Sequence, residues 1–119
     1  MTECLIVGLG GCIGAICRYL IGRLPLSHSS GFPLKTFFIN IAGAFLIGLV
    51  TALAARNSLH PRLALFLKVG ICGGFTTFSS FALESQQLVD KGAGITAALY
   101  MGLSLFFGIL ACILGQKVL

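Results

Sequence analysis

Val69-Gly70-Ile71-Cys72-Gly73-Gly74-Phe75-Thr76-Thr77-Phe78-Ser79-Ser80-Phe81 is an uncharged stretch holding three glycines, two threonines and two serines. It opens a 15-residue run without charge, Val69–Leu83, bracketed by Lys68 and Glu84. The distance from Lys68 to Glu84 amounts to roughly 24 Å of helix, most of a bilayer core. Adjacent glycines followed by adjacent β-branched threonines make a weak helix. A helix that opens at membrane depth leaves carbonyls without donors. Hydrocarbon tolerates this only where the backbone is buried in protein or lines a watery or ion-filled space. A broken span with carbonyls turned inward is a natural cation site. Close helix packing through the glycines is the competing reading.

Outward from this stretch, three more uncharged runs appear: Cys4–Cys17, Thr36–Ala55 and Gly92–Gln116, of 14, 20 and 25 residues. A helix needs about 20 apolar residues to cross the hydrocarbon. The second and fourth runs of the chain qualify outright. The first and third qualify if Arg18, Lys68 and Glu84 sit near helix ends or are buried. Of 119 residues, 57% are hydrophobic and only 9% charged, against about 25% charged in soluble domains. Lipid is the solvent for such a chain. The first run has no basic residue ahead of it, as a cleaved export signal would want, so it reads as a span. Pro25, Ser27–Gly31 and Pro33, then Asn57–Pro61, then Asp90–Gly94 mark the joints. No linker has room for a second domain. The expected fold is an all-α membrane protein, one domain over 1–119, with four transmembrane helices at about 3–23, 34–55, 62–88 and 93–116, the third broken mid-membrane.

The net charge is +5, but the eight basic residues are scattered among loops and helix ends. They read as anchors to lipid headgroups, not as a nucleic-acid surface. With four spans, one side of the membrane receives Arg18, Arg23, Lys35 and Lys91, the other Arg56, Arg62, Lys68 and Lys117. Lys and Arg bias sets orientation, so this tie gives little instruction. Either a few residues dominate, or the chain inserts both ways and two copies meet antiparallel. The five cysteines lie in apolar runs with no CxxC pair, which makes them small apolar residues rather than a disulfide or metal set.

The polar residues inside the spans fall in stripes. Thr36, Asn40 and Gly43 share one helix face at i, i+4 and i+7, and the Asn40 amide supplies two donors. Tyr100 and Ser104 place two hydroxyls on one face, and Thr77 and Ser79 add two more beside the break. Phe78 and Phe81 share a face at i, i+3. Aromatic rings carry a positive edge, so edges turned into a passage favour an anion. Each stripe alone reads as core or interhelix glue. Together they describe a lining of weak donors with Arg18 as the one nearby cation. That suits a small anion, which must shed water yet not be trapped; a ring of lysines would hold it too tightly.

At this point the chain resembles the fluoride channel family of the Fluc or CrcB type. The likeness runs through Gly10-Gly11-Cys12-Ile13-Gly14-Ala15-Ile16-Cys17-Arg18-Tyr19, Thr36 through Gly48 with Asn40, and Gly73 through Phe81, where the family signature reads closely as GG-x-TTFS-x-F. The one visible departure is Ser80, where the family often has Thr. The resemblance implies an antiparallel, dual-topology homodimer in the inner or plasma membrane, with two fluoride pores. It also implies a structural sodium ion on the dimer axis, held by the carbonyls of Gly73 and Thr76 from both subunits. Phe78 and Phe81 would line the pores with ring edges, and Asn40 would donate to fluoride. Tyr100 and Ser104 would form a further station; Arg18 and Glu84 keep open roles.

Other classes fit less well. A small multidrug exporter needs a titratable carboxylate in its first span, and Glu3 lies at the extreme N-terminus; the chain also lacks Trp to stack on aromatic cations. A non-conducting assembly subunit would pass no ion and tolerate Asn40→Asp. No P-loop, His–Glu metal pair or nucleophile elbow marks an enzyme, and His28 and His60 fall in loops. Without a nucleotide site, transport would be passive.

Overall fold

A computed structural model describes residues 1–119, and all of its regular structure is helical. Helix α1 covers Thr2–Gly22 and α2 covers Leu34–Ala55. The third span, Pro61–Asp90, is built in pieces. It begins as α3 (Pro61–Leu65), widens into a π-helical segment (Phe66–Cys72), tightens to α4 (Gly73–Phe75), and resumes as α5 (Phe78–Asp90). The fourth span is α6, Gly94–Lys117. Four helical segments are thus long and apolar enough to cross a membrane, and the third is interrupted.

Local chemistry explains where the pieces start and stop. Pro61 stands at the first position of α3, and His60 Nδ1 accepts the Arg62 amide at 3.1 Å, a side-chain cap. Thr77 caps α5 in the same way, its Oγ1 accepting the Ser80 amide at 3.1 Å. The turn into α6 needs a left-handed residue, supplied by Gly92 at φ 79°.

The third span changes partners at its break. Its first half lies against α1; α5 lies against α6; α2 packs along the length of α6. The first crossing is glycine on glycine. A Cβ on Gly10 would come within 2.6 Å of Phe66 O and 2.9 Å of Gly70 Cα, and one on Gly74 would strike the backbone of Gly11. Glycine at 70 and 74 thus answers glycine at 10, 11 and 14. In lipid no hydrophobic force drives helices together, so close backbone approach does it. Gly48 and Gly115 serve the α2–α6 contact likewise, meeting the backbones of Cys112 and Phe45. Gly102 and Gly108 have nothing within 4 Å, so packing within the chain does not account for them. We expect Gly74→Val to cost about 3 kcal/mol, the upper end for overpacking, because the obstacle is backbone. Gly94→Ala, in open space, should be tolerated. The yield of monodisperse protein in detergent and its thermal midpoint check the pair.

Only 15 of 119 residues are buried, and large side chains such as Leu5, Leu9, Phe78, Ile95, Leu105 and Phe106 are exposed. An apolar exterior of this extent belongs in lipid or against another chain. A core cluster of Leu88, Ala97 and Tyr100, with Phe32, Phe37 and Phe81 against it, joins α5 to α6. It fixes the half of the third span that carries the signature phenylalanines.

Candidate functional site

The break occupies two residues. Thr76 (φ −81°, ψ 157°) and Thr77 (φ −148°, ψ 115°) are extended, which β-branched side chains favour. An extended pair inside a span must place its backbone groups elsewhere; the Thr76 amide stays on Cys72 O at 3.1 Å, and a side chain takes both groups of Thr77. Asn40, on α2, bonds Thr77 twice: Oδ1 accepts the Thr77 amide at 2.8 Å, and Nδ2 donates to the Thr77 carbonyl at 3.1 Å. Arg18, on α1, donates from Nε to the Gly74 carbonyl at 3.1 Å. Thr76 Oγ1 donates back to Cys72 O at 2.8 Å.

Two of these bonds redirect the helical ladder. In an unbroken helix the Thr77 amide would bond Gly73 O, and the Ser80 amide would bond Thr76 O. The first goes to Asn40 and the second to Thr77 Oγ1. The carbonyls of Gly73 and Thr76 thereby lose their helical donors. Gly73 is exposed, with open space where a side chain would be. Carbonyl oxygens are hard ligands, and metal-binding sets of His, Cys, Asp or Glu are absent.

An open-sided groove of about 350 Å³ runs past this break. It is bordered by Asn40, Gly73, Thr76 and Thr77, by the rings of Phe78 and Phe81, and by Ser104. Ser104 Oγ is buried yet has no hydrogen-bond partner, so it is a free donor on the groove wall. No ionisable side chain but the Cys72 thiol reaches the lining. Phe78 stands 78% exposed, and its ring lies 5.8 Å from that of Phe81, tilted by 45°.

A second cavity of about 330 Å³ adjoins the groove at Thr77 and carries charge, with Arg18, Arg23, Lys35, Thr36, Ser80 and Glu84 in its walls. Three cationic side chains and one carboxylate thus stand beside an uncharged groove. At its floor Glu84 accepts from Tyr100 OH at 2.8 Å and from Thr36 Oγ1 at 2.7 Å. Three spans meet on this one carboxylate.

The structure therefore brings Asn40, Thr77, Phe78, Phe81 and Ser104 to one groove, beside Gly73 and Thr76. Tyr100 does not join them. It is fully buried, and its hydroxyl is taken by Glu84. Ser79 is exposed, outside the groove lining, with its Oγ 3.3 Å from Thr77 Oγ1. The Thr36–Glu84–Tyr100 cluster is what the sequence reading missed as a unit. Its signal was Thr36 on the Asn40 face and a carboxylate at the end of an otherwise apolar run.

A four-span helical bundle whose interrupted third helix borders an uncharged groove is a multi-pass membrane protein. The chain belongs to the CrcB-like family: the profile described as "CrcB-like protein, Camphor Resistance (CrcB)" matches residues 5–116. Several relatives carry the name fluoride-specific ion channel FluC. The one from Gloeothece citriformis is 44% identical over 119 residues, 97% of this chain and 94% of its own. That from a strain of Thermus thermophilus is 43% identical, covering 99% of this chain and 95% of its own. A third, from Ruegeria, is 48% identical over 112 residues, 92% and 88% respectively. The family consists of transporters rather than enzymes.

Proposed function

We propose that the protein is a passive, fluoride-selective channel of the cell inner or plasma membrane, working as an antiparallel homodimer with two pores. The observation that carries it is the groove: an unpartnered buried hydroxyl, an amide and two phenyl rings along a wall without fixed charge. A dehydrated small anion gains short contacts from such donors without falling into a charge trap. Larger halides, easier to dehydrate but too big for the same contacts, gain less. The names of the relatives point the same way. Fluoride that enters a cell as HF dissociates inside, and a passive conduit lets it leak out.

The open side of the groove and the exposed Phe78 call for a second chain to close the passage. The four-against-four distribution of basic residues supports opposite insertion of the two copies. A structural sodium ion fits the break, because Gly73 and Thr76 offer hard carbonyl oxygens whose helical donors are engaged elsewhere. One subunit offers only these two oxygens, so the pair from a second copy would complete the set. Sodium supplies the positive charge that would keep two such breaks together.

Purified protein in liposomes loaded with fluoride should release it down its gradient, as a fluoride electrode reads, and should retain chloride. Equal chloride and fluoride release would overturn the selectivity. Vesicles that stay fluoride-tight would overturn the function.

A further inference from the structure

The bonds made at the break point to a division of labour that the groove alone does not require. We infer that the side chains of Asn40 and Thr77 are positioning residues for the cation site: they divert two amides and so free the Gly73 and Thr76 carbonyls. This rests on the sodium site proposed above and concerns how the chain builds it.

A chain of 3.6-residue turns offers no free carbonyl in its interior. To expose Gly73 O, something must hold the Thr77 amide away from it; Asn40 Oδ1 does so at 2.8 Å. To expose Thr76 O, something must hold the Ser80 amide; Thr77 Oγ1 does so at 3.1 Å. Asn40 Nδ2 then secures the Thr77 carbonyl at 3.1 Å, which fixes the extended residue from both ends. Arg18 occupies Gly74 O, so a neighbouring carbonyl is removed from competition. The diverting groups come from α2 and from the break itself, and both also border the groove. The anion passage and the cation site therefore share two side chains. Losing the Thr77 hydroxyl releases the Ser80 amide, which can then close on Thr76 O and re-form helical turn. The cation would have to reopen that bond before binding.

The test is a sodium titration of dimer assembly, not of flux. Wild type, Thr77→Val, Thr77→Ser and Asn40→Leu are purified, and dimer fraction is followed by cross-linking as sodium replaces a large organic cation. Thr77→Val keeps shape and volume but removes the acceptor; we expect its sodium midpoint to rise at least about tenfold, about 1.4 kcal/mol. Thr77→Ser keeps the acceptor and should restore the wild-type midpoint. Asn40→Leu should shift the midpoint in the same direction as Thr77→Val. A role confined to packing would lower dimer stability at every sodium concentration and leave the midpoint where it was. That result, or a Ser variant as impaired as Val, overturns the inference. If Thr77→Val yields no folded protein, the comparison of Asn40→Leu with wild type decides alone. A wild-type dimer indifferent to sodium would instead remove the cation site itself.

Discussion

Replacing Phe81 by Ile should lower fluoride efflux by about ten- to a hundredfold, and replacing Phe78 should do the same. The ring edge is the only positive feature either side chain offers the groove. Isoleucine fills much of the same volume with alkyl hydrogens that carry no comparable dipole. If each edge stabilises the dehydrated ion by about 1.4–2.7 kcal/mol at its highest point, the loss converts directly into that range of rate. The two positions differ in what else they lose. Phe81 packs on Tyr100 with ring centroids 5.1 Å apart, so its removal loosens the core beside α5. Phe78 is exposed and makes no such contact with the core cluster. Phe78→Ile is thus the cleaner measurement: the core beside α5 stays intact while efflux falls. Wild-type efflux from both variants in liposomes would remove the rings from the pathway.

The spans were legible because hydrocarbon imposes a length, and uncharged runs report it. The break was legible because Thr76-Thr77 puts two adjacent β-branched residues in the span; Gly73 and Gly74, read as part of the same weakness, stay helical in α4. The π-helical widening at Phe66–Cys72 left no such mark; it is a matter of backbone register, and residues such as Leu67 and Val69 sit comfortably in either helix. A shared helix face groups side chains, but it does not show which neighbour from another span each of them meets. Tyr100 and Ser104 share a face of α6, yet only Ser104 reaches the groove, because Glu84 captures the Tyr100 hydroxyl. Asn40 was legible as a donor. That its oxygen would also stand in for a backbone acceptor could not be read from one helix, since it depends on where α2 meets the break. Arg18, half-buried in α1, makes the same point: its Nε answers a carbonyl 56 residues away.

Glu84→Leu should be the most destabilising single change outside the glycine crossings. Tyr100 is fully buried and Thr36 nearly so, and Glu84 accepts from both hydroxyls. Leucine leaves two buried donors without acceptors, at about 1–3 kcal/mol each. Glu84→Gln should cost less than the leucine change. Its amide carbonyl still accepts one hydroxyl, and its NH₂ can donate to the other, so what is lost is the extra strength of a charged acceptor. Thermal midpoints in one detergent would rank wild type above Gln, and Gln above Leu. The pairing itself can be isolated by a double-mutant cycle with Tyr100→Phe. If the Tyr100 hydroxyl matters because Glu84 accepts it, the double variant Tyr100→Phe, Glu84→Leu will lose less than the sum of the singles, since no orphaned hydroxyl remains on α6. Additive losses would mean that the two groups act independently, and that the carboxylate does not tie the second, third and fourth spans together.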